Sequence, residues 1–158
     1  MAKIILGIDP GIADTGYGVI EKGPGGKLTC LAYGSIKTKA GLPIDERLEI
    51  LNQELQKIIN KYQPKLAAVE ELFFQNNAKT AIIVGEARGV ILLTCRQNKI
   101  LLHELTPLQV KQVVAGYGQA DKKQVQKMVK LLLNLKEIPK PDDAADALAI
   151  AISSINEV

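Results

Sequence analysis

Cysteine and histidine are scarce in this chain. Cys30 and Cys95 are the only cysteines among 158 residues, and His103 is the only histidine. The cysteines lie far apart and form neither a CxxC pair nor the spacing of a zinc site, so we predict two reduced thiols without a chemical role. His103 ends a predicted strand, where we expect a structural role. No Gly-x-Ser-x-Gly motif and no placed Cys–His pair occurs, so no side-chain nucleophile for covalent catalysis is evident.

Long apolar runs are absent as well. No segment reaches the length of a membrane span, and the amino-terminal residues enter a strand-like segment without the layout of a signal peptide. The chain has the usual length of one domain, and we see no internal repeat and no linker. We therefore predict a single domain over residues 1–158 and a cytoplasmic location.

One segment of the carboxyl-terminal half is strongly basic. Residues 107–140 contain seven lysines but only two acidic residues. Such a basic surface suits a polyanion such as nucleic acid. A solvated helical face would carry the same lysines, so the lysines alone leave both interpretations open.

The spacing of apolar residues predicts an α/β fold with three consecutive strands followed by alternating strands and helices. We predict strands over 3–9, 15–22, 27–37, 66–70 and 99–104, and helices over 43–61, 76–98, 107–116, 121–134 and 141–156. This order is typical of a mixed five-stranded sheet with helices on both faces.

Four acidic residues have settings that suggest chemistry. Asp9 and Glu70 end predicted apolar strands, and Asp143 and Asp146 lie three apart in an alanine-rich helix. A carboxylate in apolar surroundings is costly unless it is paired. If the first and fourth strands are neighbours, their acids meet at one sheet edge, and the two helical acids share a helix face. We predict a Mg²⁺ site for phosphoryl chemistry, with two ions that together clamp a phosphodiester.

Each acid also has a structural interpretation when it is taken singly. Asp9 precedes Pro-Gly and could cap a turn. Asp143 and Asp146 could be acids of a first helical turn, favoured by the helix dipole.

Two further features adjoin the predicted site in the sequence. Phe73 and Phe74 are the only phenylalanines and follow Glu70 in a polar context, so we predict that Phe73 stacks on or wedges between bases; a ring packed under the loop is the alternative. In the following helix, small residues recur every four positions, at Ala81, Gly85 and Gly89. This stripe permits close packing against the sheet or against a second subunit.

The chain resembles the RuvC family of Holliday-junction endonucleases over nearly its whole length. The matching segments are 7–11 (Gly-Ile-Asp-Pro-Gly), 69–71 (Val-Glu-Glu) with Phe73, 85–89 (Gly-Glu-Ala-Arg-Gly), 106–111, 116–122 and 143–149. A lone Asp-Pro-Gly is weak, but the ordered set is highly specific.

The resemblance implies an RNase H-like fold, a homodimer and Mg²⁺-dependent nicking of two opposed strands at a four-way DNA junction. It also implies a branch-migration motor as partner. By match to the family motifs, the metal ligands would be Asp9, Glu70, Asp143 and Asp146, and the DNA contacts would be Phe73, Lys111 and Lys122. Some relatives have histidine at the position of Asp143; aspartate keeps the site all-oxygen and favours Mg²⁺, with Mn²⁺ as a substitute.

Two other classes of protein share part of this pattern. Actin-like nucleotide-binding switches also open with an Ile-Asp-x-Gly strand and turn, but they need two such lobes, for which this chain is too short. A junction-binding protein without catalysis would have no use for a set of buried acids beside a polyanion.

Overall fold

The computed structural model describes residues 1–71 and 77–158. The strands are β1 (Lys3–Asp9), β2 (Asp14–Lys22), β3 (Leu28–Lys37), β4 (Leu66–Glu70) and β5 (Leu101–Leu105). The helices are α1 (Ile44–Tyr62), α2 (Ala78–Gln97), α3 (Pro107–Ala115), α4 (Lys122–Leu132) and α5 (Asp142–Ile152). The predicted order of elements is confirmed. None of the described helices is both long and apolar enough to cross a membrane.

Many element boundaries differ from the sequence-based expectation by one or two residues, and α5 ends four residues earlier than expected. Contacts of the backbone account for two of these differences. β5 begins at Leu101 rather than at residue 99, because Lys99 takes a positive φ of 59° and Ile100 donates its N–H to the Cys95 carbonyl, which closes the end of α2. α5 ends at Ile152 rather than near residue 156. Beyond it, Ser154 and Ile155 donate to carbonyls three residues back, as in turns.

The sheet is mixed, with the strand order β3-β2-β1-β4-β5. β1 pairs antiparallel with β2 and parallel with β4, and β4 pairs parallel with β5. The first and fourth strands are therefore neighbours, as the site prediction required. Ile8 pairs with Val69, so Asp9 and Glu70 leave the same edge of the sheet side by side.

Helices cover both faces of this sheet, which confirms the predicted architecture. Side chains of β1 alternate between the two faces, as strand geometry dictates. Ile5 packs with α3, α4 and α5 on one face, whereas Leu6 and Ile8 pack with α1 and α2 on the other. β1 is thus buried on both faces, which explains its nearly continuous apolar sequence.

The two cysteines and His103 occupy structural positions in the fold. Both cysteines are free, with Cys95 buried and Cys30 half-buried. His103 Nδ1 lies 2.7 Å from the hydroxyl of Ser154, a residue that is fully buried. This contact fastens β5 to the chain beyond α5, in agreement with the structural role predicted for His103.

Candidate active site

Three carboxylates meet where β1 approaches α5. Asp9 ends β1, and Asp143 and Asp146 lie at the start of α5. Each of the three offers an oxygen that lies within 4.8 Å of the oxygens offered by the other two. We call these residues the carboxylate triad. Three converging carboxylate oxygens are the donor set that Mg²⁺ or Mn²⁺ prefers.

Glycines of the first hairpin allow α5 to lie close enough to form the triad. A Cβ on Gly7 would lie 2.0 Å from the carbonyl oxygen of Ala147, and a Cβ on Gly16 would lie 2.0 Å from that of Asp143. Any side chain at either position would therefore push α5 away from the sheet. On the helix side, Ala144 and Ala147 are fully buried. Sequence reasoning missed these glycines; the one signal in the sequence is the i, i+2 spacing of Gly16 and Gly18 along β2.

Glu70 lies beside the triad rather than within it. It ends β4 and is partly buried, but it is not among the residues whose oxygens converge within 4.8 Å. Its charge is still coupled to theirs: burial raises the pKa of Glu70 from 4.5 to about 7, Asp146 adds to the rise, and Lys111 opposes it. The structure thus brings together three of the four predicted acids and places the fourth next to them.

Burial and mutual repulsion disfavour the charged form of the carboxylates in this site. Burial raises the pKa of Asp9 from 3.8 to about 8, and neighbouring carboxylates add to the rise in the order Asp146, Glu70 and Asp143. Burial also raises the pKa of Asp146, although Lys122 opposes it. Crowded, desolvated carboxylates either bind protons or gain from a cation. The donor set and the local electrostatics therefore both fit a divalent metal ion.

Two predicted lysines flank the acids. Lys122 Nζ lies 3.2 Å from Asp142 Oδ2 and 3.8 Å from Asp146 Oδ2. Its place at the start of α4 is held by a capping box, in which Asp121 accepts from the Gln124 N–H and the Gln124 side chain accepts from the Asp121 N–H, both at 2.8 Å. Lys122 therefore reaches the site from a helix end of defined geometry.

Lys111 approaches the acids from α3. It lines a cleft of about 290 Å³ between α3, α4 and α5, and the wall of this cleft includes Glu70, Lys122 and Asp146. Acids and lysines thus share one opening, which suits a phosphodiester held beside a cation.

The predicted aromatic contact cannot be placed, because Phe73 and Phe74 lie outside the described residues. Glu71, which precedes them, is exposed, and its N–H donates to the Leu105 carbonyl at 2.7 Å. The chain therefore continues its pairing with β5 for one residue beyond Glu70.

The small-residue stripe on α2 could pack against the sheet or against a second subunit, and the structure distinguishes these two possibilities at Gly89. A Cβ on Gly89 would meet no atom of the described residues within 4 Å, and the residue is exposed. Ile82 and Leu93 are 61% and 57% exposed on the same side of the helix. We call these three residues the outward face of α2; at Gly89 this face does not pack against the sheet.

A sequence model described as "Crossover junction endodeoxyribonuclease RuvC" matches residues 5–154. The chain belongs to the RuvC family. A RuvC family member from Caldicellulosiruptor saccharolyticus is 60% identical over 151 residues, which cover 96% of this chain and 91% of that protein. A member from Halothermothrix orenii is 60% identical over 149 residues, with 94% and 90% coverage. Both relatives are named crossover junction endodeoxyribonuclease RuvC.

A solved structure of this family has the same fold. It is described as Thermus thermophilus RuvC in complex with Holliday junction substrate, and it superposes with a TM-score of 0.91 at 36% identity. The match covers 96% of this chain and 92% of that one. The RNase H-like fold implied by the sequence motifs is therefore confirmed, as is the recognition of the RuvC family.

Proposed function

We propose that this protein is a structure-specific endodeoxyribonuclease that resolves four-way DNA junctions by paired, symmetric nicks in homologous recombination and DNA repair. The observation that carries the proposal is the carboxylate triad with two lysines at its rim, in a chain of the RuvC family. Its reaction is hydrolysis of a phosphodiester.

The acids would hold two Mg²⁺ ions, with Mn²⁺ as a substitute. Asp9, Asp143 and Asp146 form one donor set, and Glu70 beside Asp9 supplies a ligand for a second ion. When bound, the metal supplies Lewis acidity, which promotes attack by water and offsets the charge on the leaving oxygen. The acids themselves are preorganised by the β1–β4 pairing and by the close packing of α5.

The lysines would act on the DNA. Lys122 is half-exposed and already contacts Asp146 of the triad and the neighbouring Asp142, so its ammonium can exchange a carboxylate for a phosphate oxygen. Lys111 reaches the same cleft from the opposite helix. Their charges would hold the phosphodiester near the cut and contribute to the salt dependence of binding. Phe73 stays a prediction as the contact to bases at the crossover.

Paired cuts require two active sites, and we propose a homodimer formed through the outward face of α2. Exposed Ile82 and Leu93 flank Gly89, where a partner helix can approach closely. A two-fold dimer gives two identical sites related by symmetry, which matches a junction with two opposed strands. A branch-migration motor complex as partner, the single-domain organisation and a cytoplasmic location stay predictions.

The test is cleavage of a synthetic mobile four-way junction against a linear duplex of the same sequence, each with Mg²⁺ and with EDTA. We expect paired, symmetric nicks in the junction alone and only with Mg²⁺. Tight junction binding without cutting would favour the DNA-binding protein without catalysis. Equal cutting of the duplex would contradict structure specificity.

A further inference from the structure

Arg88 is a mostly buried arginine, and two of its contacts reach the edge of the sheet beside Glu70. Its side chain is 16% exposed, and it lies on α2 next to the fully buried Ala87. Its Nε donates to the backbone carbonyl oxygen of Glu70 at 3.4 Å. Its Nη2 donates to Glu104 Oε2 at 2.5 Å.

These two acceptors belong to neighbouring strands. Val69 pairs with Glu104 and Glu70 pairs with Leu105 in the parallel β4–β5 ladder. One guanidinium group therefore spans the carboxyl ends of two strands and joins them to α2. Arginine suits this task because its donors form a rigid planar fork, which a lysine ammonium cannot reproduce.

We propose that Arg88 is a positioning residue for Glu70. Arg88 fixes the backbone from which the Glu70 carboxylate reaches the site. The inference rests on the proposed function, in which Glu70 is a metal ligand. Replacing a group that orients a metal ligand typically costs about 10- to 100-fold in metal affinity or activity. Because α2 also carries the outward face, Arg88 joins the proposed subunit contact to the active site within one helix.

A purely structural role makes a different prediction. If Arg88 only anchors α2 through its ion pair, Glu104→Gln and Arg88→Met should have similar effects, confined to the melting temperature. If Arg88 positions Glu70, the bond to the Glu70 carbonyl is the important one, and Glu104→Gln leaves that bond in place. Glu104 is 44% exposed, so water can solvate its carboxylate when Arg88 is replaced.

The experiment follows the ¹³C signal of the Glu70 carboxylate by NMR during a Mg²⁺ titration, with Glu70→Gln to assign the signal. Junction cleavage is measured over the same Mg²⁺ range. For Arg88→Met we expect both midpoints to rise by about 10- to 100-fold. Glu104→Gln should give a much smaller rise. Arg96→Gln, which removes an exposed arginine from the last turn of the same helix, should leave both midpoints unchanged.

Unchanged midpoints in a folded Arg88→Met protein would overturn the proposal, as would a Glu70 signal that ignores Mg²⁺ in the natural protein. If Arg88→Met does not melt cooperatively, Arg88→Lys replaces it, and wild-type midpoints in that variant would overturn the proposal. If the natural protein cuts no junction while the NMR midpoints shift as expected, the proposed function fails and the positioning role stands.

Discussion

Replacing Asp9 by asparagine should stabilise the metal-free protein while it abolishes cleavage. Asp9 ends β1 inside the carboxylate triad, where burial first and then Asp146, Glu70 and Asp143 raise its pKa from 3.8 to about 8. Asparagine keeps the shape of the side chain and removes its titration. Junction binding should be retained, because Lys111 and Lys122 are untouched.

The magnitude follows from proton linkage. Unfolded Asp9 is ionised above about pH 4, whereas the folded protein keeps the proton until about pH 8. The folded state therefore binds more protons over this range, and its stability falls as the pH rises from 4 to 8. At about 1.4 kcal/mol per pH unit, Asp9 costs up to about 4 kcal/mol at pH 7. Asp9→Asn removes this cost, equivalent to at most roughly 8–16 °C in Tm for a chain of this size.

The assay is thermal unfolding at pH 5, 7 and 8.5 in EDTA, repeated with Mg²⁺. We expect Asp9→Asn to gain in Tm over the natural protein progressively from pH 5 to 8.5. Mg²⁺ should raise the Tm of the natural protein more than that of the variant, since a ligand stabilises only a state that binds it. Asp45→Asn, an exposed acid in the first turn of α1, is the control for a generic loss of charge. A gain that is absent at pH 8.5, or the same at pH 5 and 8.5, would refute the reasoning.

Two further predictions test the lysines and the dimer. Lys122→Ala should slow cleavage and reduce the salt slope of junction binding by about one. The loss of stability should stay below about 1 kcal/mol, because the ion pairs of Lys122 are exposed. An unchanged cleavage rate and salt slope would remove Lys122 from the DNA interface. Leu93→Glu should shift the protein from dimer to monomer in sedimentation, because it buries a charge in the proposed α2 contact. An unchanged mass would place the subunit contact elsewhere.

Local patterns in the sequence predicted most of the architecture. The apolar run of β1 indicated a strand buried on both faces, and the predicted order of elements indicated a mixed sheet covered by helices. These inferences succeed because strand and helix periods reflect which side chains are buried. The i, i+3 spacing of Asp143 and Asp146 likewise reflects a single helix face.

The geometry of the site depended on contacts between residues distant in the chain. The sequence grouped four acids, but packing brings three within 4.8 Å and leaves Glu70 beside them. Asp142 lies outside the triad and pairs with Lys122 instead. No period in the sequence reports such pairs, because they arise only when separate elements pack.

By itself, then, the sequence determined the element order, the acids available for chemistry and the RuvC family motifs, since each is a local property of the chain. Only the tertiary structure decided how closely α5 approaches the sheet over Gly7 and Gly16, and which acids converge. It also decided that Arg88 contacts the backbone of Glu70. These features follow from the fit between surfaces far apart in the chain, where backbone atoms approach and buried charges find partners.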